Sequence, residues 1–162
     1  MENLSAEYWN DRYKNDTAAW DLKGVSRPIK EYIDQLQNKF ITILIPGCGY
    51  GYEGEYLLEK GFINVHLLDF AAEPLEAFQK RNPNFPSENL HQADFFKHEG
   101  EYDLIIEQTL FCAIDPSLRS EYAKKVAELL KEGGKLVGLF FNREFESGPP
   151  FGGNIDEYFE YF

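Results

Sequence analysis

Three glycines separated by single residues, Gly47, Gly49 and Gly51, lie in the stretch ILIPGCGYGYEG, and a fourth, Gly54, follows. Two chemistries overlap there. Gly47-x-Gly49-x-Gly51 is the G-x-G-x-G pattern usual for a nucleotide-type methyl donor, whereas Gly49-x-Gly51-x-x-Gly54 is the G-x-G-x-x-G of a dinucleotide site. Either motif needs its first glycine where a strand ends, because the backbone there turns sharply and approaches a ligand without a Cβ. The apolar run from Phe40 to Ile45 is closed by Pro46, so Gly47 is the turn residue and Gly54 falls one turn inside the following helix. This makes GCGYG the frame and favours the methyl donor. A tight strand-to-helix turn with no ligand is the competing explanation. Asp69, where the second predicted strand ends, has the chemistry to accept two ribose hydroxyls of either cofactor, and equally that of a plain helix N-cap.

The elements that must hold these residues alternate in type. Pro28 opens a helix in which Ile29, Tyr32, Ile33 and Leu36 recur at helical spacing, after an N-terminal helical arm. Phe40 to Ile45 reads as a buried parallel strand, Tyr52 to Glu59 as a helix stopped by Gly61, and Val65 to Leu68 as a second strand. A helix over Pro74 to Lys80 is broken by Pro83 and Pro86; a weaker third strand over Leu90 to Phe95 and a strong fourth over Tyr102 to Glu107 follow. Ser117 is positioned to cap a helix through Leu130, Gly133 and Gly134 to end it, and Lys135 to Phe141 to form a fifth strand. Such alternation predicts an α/β, Rossmann-like fold: a mostly parallel sheet, helices on both faces, and ligands at the carboxyl edge of the strands. One domain over 1–162 is expected, with a helical lid region at 1–38, the core at 39–141, and a Gly- and Pro-rich loop with an acidic, aromatic end at 142–162.

Composition narrows the partners. At 162 residues, 43% hydrophobic and 16% aromatic, the chain can bury one good core. Sixteen basic against 28 acidic side chains give a net charge of -12, which argues against nucleic acid and anionic membrane surfaces as partners. The start, MENLSAEYWNDRYKND, has neither a basic n-region nor an apolar h-region, and no window approaches the ~20 apolar residues that span a bilayer. A soluble cytoplasmic protein is expected, with Cys48 and Cys112 reduced. Two cysteines and the histidines His66, His91 and His98, on or beside strands without evident partners, give no metal-site spacing and no Ser-His-Asp or Cys-His arrangement.

The segments EQTLFCAIDPSLRSEYAKKVAELLKEGGKLVGLFF and GPPFGG, taken with IPGCGYG and the early YWNDRY and AAWD, carry a more specific signal. Together they resemble the thiopurine S-methyltransferase family, most of all its thiol and halide methyltransferase branch. The resemblance implies a class I fold binding S-adenosylmethionine, with the acid usual at the end of the first strand replaced by Ile45-Pro46, as the family also shows. It implies an aromatic lid of Trp9, Tyr13 and Trp20; Gly47, Cys48 and Gly49 at the methionine end; Asp69 at the ribose; Asp94 and Phe95 at the adenine; and Glu107 near the sulfonium. Arg119, in DPSLR, matches a substrate-contacting arginine, and Phe111, Cys112, Pro149, Pro150 and Phe151 would wall the acceptor pocket. The implied reaction is direct in-line methyl transfer to a small thiol, thiopurine-like compound or halide, which needs alignment more than a catalytic triad.

The residue types fit such a ligand on their own terms, since a sulfonium favours carboxylates and aromatic faces at about 0.5 to 2 kcal/mol per aromatic contact. Each also has a plainer explanation: helix packing for Trp9 and Trp20, solvated loop carboxylates for Asp94 and Glu107, a first-turn surface arginine for Arg119, and a small core residue for Cys112. Members of the family usually continue past the GPPF loop into two further strands, which this chain, ending at Phe162, lacks. Two expectations accompany that difference: a cofactor-binding domain with weak or no turnover, and an exposed sheet edge that invites a homodimer. A NAD-dependent oxidoreductase using the other glycine frame is the third alternative, disfavoured by the absence of a catalytic Tyr-Lys or His pair.

Overall fold

Ser5 starts the first helix by accepting the Tyr8 N–H on its side chain at 3.3 Å, in a computed structural model that describes residues 4–162. The remainder of the expected lid region, 1–3, lies outside the described residues. Helix α1 (Ala6–Lys14) is followed by α2 (Arg27–Gln35), which carries Pro28 in its first turn and buries Ile29 and Ile33 on one face. The alternating region then runs β1 (Thr42–Pro46), α3 (Tyr52–Glu59), β2 (Asn64–Asp69), α4 (Ala72–Arg81), β3 (Leu90–Gln92), β4 (Tyr102–Gln108), α5 (Arg119–Leu129) and β5 (Leu130–Leu139). A last helix, α6 (Ile155–Tyr161), closes the order.

The five strands form one sheet in the order β3-β2-β1-β4-β5, with every pairing parallel. Because side chains alternate along a strand, the sheet divides two apolar layers. Ile43 and Ile45 of β1 and Leu104 and Ile106 of β4 face Ile29, Ile33, Leu57 and Phe78, while Leu44 and Ile105 face Phe111, Tyr122 and Val126. The central strand is thus covered on both sides, which is why its residues after Thr42 read as an unbroken apolar run.

Three elements differ from expectation, each for a local reason. The third strand stops at Gln92, because the Asp94 carboxylate accepts the Phe96 N–H at 3.0 Å and turns Phe95–Lys97 into a single 3₁₀ turn. Ahead of α5, Asp115 rather than Ser117 is the capping residue: its carboxylate takes the Ser117 N–H at 2.9 Å and hydroxyl at 2.7 Å, so Ser117 sits inside a 3₁₀ turn at Pro116–Leu118. Gly133 and Gly134 do not end α5, which stops at Leu129. They occupy an irregularity within β5, where pairing with β4 jumps from Tyr102↔Leu130 to Leu104↔Lys135, and Gly133 takes a φ of 75° there.

The acidic, aromatic end is an ordered helix. Asn154 caps it by accepting the Glu157 N–H at 3.0 Å. Tyr158, Tyr161 and Phe162, at helical spacing, pack around Phe111, and the Tyr158 hydroxyl donates to the Phe141 carbonyl at 2.6 Å. Among the described residues, no helix is long and apolar enough to cross a membrane.

Candidate functional site

Gly47, Gly49 and Gly51 all adopt left-handed backbone, with φ of 60°, 50° and 72°, between the end of β1 and the start of α3. A Cβ on Gly47 would stand 2.9 Å from the Leu110 Cβ, and one on Gly49 would stand 3.0 Å from the Tyr13 hydroxyl. Gly54 is different in kind. It lies inside α3, where a Cβ would strike Leu67 at 2.8 Å, so its small size serves helix-to-sheet packing. The G-x-G-x-G frame is therefore the one the backbone uses as a turn.

Asp69 fastens this loop to the end of β2. Its two carboxylate oxygens accept the Gly49 N–H at 2.8 Å and the Ala71 N–H at 2.9 Å, and the neighbouring backbone links Cys48 N–H to Leu68 O at 3.0 Å. Burial pushes the Asp69 carboxyl up from its ordinary value, and the amide donors work against that shift. Each oxygen retains a lone pair for a further donor.

Beside the loop, at the carboxyl edge of β1 and β4, opens a cleft of about 560 Å³ including its mouth. The glycine loop supplies its floor. Ile45, Ile106 and Gln108 come from the two strands and Thr109 directly follows β4; Tyr52 and Glu53 come from the first turn of α3, and Tyr13, Trp20, Asp21 and Leu22 from the N-terminal arm. The arm is knitted by edge-on aromatic contacts: Trp9 with Trp20 at 5.4 Å between centroids, Trp20 with Tyr13 at 5.7 Å, and Tyr13 with Tyr50 at 5.2 Å. The Trp20 Nε1–H donates to the Tyr13 hydroxyl at 3.4 Å; burial, with Asp69 close by, pushes that hydroxyl well above its ordinary pKa. The Ser26 hydroxyl, which precedes α2, donates to Gln108 Oε1 at 2.6 Å and ties the arm region to the end of β4. Thr109, at the cleft wall, holds a φ of 78°, an uncommon conformation for a β-branched residue.

The structure thus gathers Tyr13, Trp20, Gly47, Cys48 and Gly49 on the cleft, with Trp9 stacked behind Trp20 and Asp69 behind the loop. It separates the remaining expected residues. Glu107 is fully buried on the opposite face of β4, where Oε1 accepts the Phe111 N–H at 3.0 Å and Oε2 has no partner. Burial raises its carboxyl to about 7. Phe95 packs its ring on Tyr122 at 5.1 Å between centroids, and Asp94 spends an oxygen on its own turn. Phe111 is a core residue.

Arg119 is only 2% exposed; it donates to Glu157 at 2.6 Å and to the Gly152 carbonyl at 2.7 Å, and its guanidinium lies 4.8 Å from the Phe111 ring centre. The loop containing Pro149, Pro150 and Phe151 reaches Cys112 through a Phe151 N–H donated to the Cys112 carbonyl at 2.6 Å. The Cys112 thiol donates to the Thr109 carbonyl at 3.2 Å, and burial, then the Glu107 carboxylate, pushes it up to about 12. Sequence reasoning missed Asp21, Tyr50, Tyr52, Glu53, Gln108 and Thr109 as cleft residues. Tyr50, between Gly49 and Gly51, and Tyr52 and Glu53, in the first turn after the glycines, had an available signal.

Electrostatically the cleft is one-sided. Asp21 and Glu53 line it together with four aromatic side chains, and no basic side chain among the described residues does. A pyrophosphate placed at the N-terminus of α3 would meet Glu53 and Glu55 in that helix's first turn, where such sites normally present only N–H donors. A cationic sulfonium and an ammonium group suit the same surroundings, and the glycines leave the room a Cβ would fill.

A family model described as thiopurine S-methyltransferase matches residues 4–162. The chain belongs to that family. Thiopurine S-methyltransferase family members are S-adenosylmethionine-dependent methyltransferases, and three relatives show how this chain spans them. A probable thiol methyltransferase 2 of Arabidopsis thaliana is 29% identical over 166 residues, covering 98% of this chain and 72% of the relative. Thiocyanate methyltransferase 1 of Brassica oleracea is 25% identical, covering 93% and 69%, and a thiopurine S-methyltransferase of Aliivibrio salmonicida is 26% identical, covering 95% and 81%.

Solved structures share the class I methyltransferase fold. A protein from work on the conversion of a disulfide bond into a thioacetal group during echinomycin biosynthesis superposes with a TM-score of 0.77 at 15% identity, covering 97% of this chain and 77% of that one. A 1,6-didemethyltoxoflavin-N1-methyltransferase of Burkholderia thailandensis, solved with bound 1,6-didemethyltoxoflavin and S-adenosylhomocysteine, gives 0.68 at 18% identity, covering 86% and 62%. A glycopeptide N-methyltransferase complexed with sinefungin gives 0.61 at 21% identity and covers 72%; the chain spans 54% of that enzyme's length.

Proposed function

We propose that this chain moves the methyl group of S-adenosylmethionine to a small thiol-type acceptor, with thiopurine-like compounds and halides as the other members of the acceptor class. One observation carries the reading: the glycine loop and the arm enclose a cleft furnished with carboxylates and aromatic faces and, among the described residues, with no cation. The cofactor supplies an activated methyl group and a neutral leaving thioether. What remains for the chain is to bind, orient and exclude water.

Gly47 and Gly49 give backbone access to the methionyl end, and Asp69, already fixed by two amides, offers its free lone pairs to ribose hydroxyls. Trp9, Tyr13 and Trp20 form the roof. Cys112, its thiol protonated at neutral pH and turned toward a carbonyl, takes no part as a nucleophile, so transfer is direct. Glu107 acts through position: by holding the Phe111 N–H it fixes the turn that follows Thr109 at the cleft wall and sets Leu110 beside Gly47. Arg119 likewise acts through the Gly152 carbonyl it holds, on the acceptor side. Two free cysteines suit a reducing, cytoplasmic setting.

Calorimetric titration with S-adenosylhomocysteine, against a reduced nicotinamide dinucleotide as control, tests this function. Binding of the first alone is expected; binding of the dinucleotide instead would overturn it. A second reading, cofactor binding without turnover, is favoured by the cover that α6 places over Phe111 and Arg119. Transfer of a labelled methyl group to a panel of small thiols and halides separates the two. We also propose that β5, an edge strand with Leu139 exposed and Phe141 exposed just beyond it, pairs two copies of the chain; sedimentation as a strict monomer at high concentration would rule this out.

A further inference from the structure

The acid usual at the end of the first strand of this fold is absent, since β1 ends in Ile45-Pro46. A ligand with a methionyl end brings an α-ammonium group to the glycine loop, and a buried ammonium requires a carboxylate or several carbonyls. The carboxylates near the loop are not equivalent. Asp69 has an amide on each oxygen, and Asp21 turns back to accept the Lys23 N–H at 2.8 Å. Glu55, in the same helical turn as Glu53, is neutralised by Arg81 at 2.8 Å and by the Asn82 amide at 2.8 Å.

Glu53 alone of these four lines the cleft with no hydrogen bond to another residue and no ion pair among the described residues. Its surroundings desolvate it and push its carboxyl up from the ordinary value, and it lies close enough to Cys48 to raise that thiol as well. The favourable field of the α3 N-terminus accounts for an acid in this turn, yet not for one turned inward without a partner while its neighbour is paired outside.

We infer that Glu53 is the carboxylate that receives the α-ammonium group of the methionyl moiety, replacing from the helix the acid that the strand does not supply. The inference rests on the function proposed above. It makes Glu53 a specificity residue for ligands that carry the amino-acid end, as opposed to adenosine thioethers that lack it.

The test compares two uncharged thioethers, S-adenosylhomocysteine and 5′-methylthioadenosine, which share the nucleoside and differ in the amino-acid end. Neither carries a sulfonium, so attraction between Glu53 and the sulfur centre drops out. Calorimetry on the wild type and Glu53→Gln is expected to show S-adenosylhomocysteine weakened about ten- to a hundredfold, in line with loss of one charge-assisted hydrogen bond. Methylthioadenosine should change by less than about twofold on the same ground, and its retained binding doubles as the check that the variant is folded. Should Glu53→Gln fail to fold, Glu53→Asp, which keeps the charge and shortens its reach, is expected to weaken the first ligand alone. Equal weakening of both ligands, or of neither, would overturn the inference while leaving the cofactor reading intact. Binding of neither ligand by the wild type would remove both together.

Discussion

Replacing Glu107 by glutamine keeps the shape of a fully buried side chain and deletes its charge, and the consequence should depend on pH in a way that can be worked out beforehand. In the fold, one carboxylate oxygen accepts the Phe111 N–H at 3.0 Å and the other has no partner; burial raises the group from 4.5 to about 7. A carboxyl whose folded pKa lies above its unfolded one binds more protons in the fold, so stability falls as pH rises between the two values. The slope is about 1.4 kcal/mol per pH unit. Between pH 5 and pH 8 the wild type should therefore lose about 2 to 3 kcal/mol that Glu107→Gln does not lose. Urea unfolding of both proteins at pH 5, 6, 7 and 8 measures the difference directly, and contributions common to both cancel. A difference that stays flat across the range would refute the reasoning, because it would mean that the carboxylate is already satisfied when charged.

The histidines carry the opposite sign. His66 Nδ1 and His91 Nε2 lie 3.1 Å apart, the His98 ring lies 4.8 Å from that of His91, and His98 Nε2 pairs with the Tyr102 hydroxyl at 2.7 Å; burial, then the neighbouring rings and Lys125, lower His98 to about 4. Stability is thus complete above about pH 6.5 and lost on acidification toward the folded value, at about 1.4 kcal/mol per unit for His98 alone; a thermal midpoint in Glu107→Gln that rose from pH 7 to pH 5 would contradict this. Arg119→Ala leaves Glu157 without its cation and the Gly152 carbonyl without its donor, and should cost about 3 kcal/mol, read by urea unfolding, while raising the Michaelis constant for the acceptor more than that for S-adenosylmethionine. Cys112→Ser should retain turnover within about a few fold, since the thiol is protonated and serves only the Thr109 carbonyl; loss of transfer with the cofactor still bound would reopen a nucleophilic role. Gly49→Ala forces a side chain into left-handed backbone and toward the Tyr13 hydroxyl, and should abolish S-adenosylhomocysteine binding in a calorimeter before it abolishes folding.

Much of the fold was legible because its signals are local. Pro46 ends an apolar run immediately before three glycines, and that alone fixed the turn and the reading frame; α3 begins at Tyr52 after those glycines and ends at Glu59 just before Gly61 takes a φ of 85°. The site was legible in its floor and roof and obscure in its walls. Leu104, Ile105 and Ile106 are all apolar because β4 is covered on both faces, so no alternation reveals that Glu107 turns away from the cleft and Gln108 toward it. The His66–His91 contact joins residues 25 positions apart through the pairing of β2 with β3, for which nothing local gives notice. Asp94 shows the reverse failure. A short polar side chain ended the strand it was assigned to by bonding its own backbone, a competition that propensity scales leave out.

Tyr13 stands over Gly49 with its hydroxyl 3.0 Å from where a Cβ would be, and the arm that carries it is held at one side by Asn10, whose side-chain amide oxygen accepts the Glu73 N–H at 3.1 Å, and at the other by Ser26 on Gln108. Tyr13 and Trp20 line the cleft from that arm, so a movement of the arm would change the cleft's mouth. Were cofactor exchange to require that movement, solvent viscosity would slow turnover even when the transfer of the methyl group is fast.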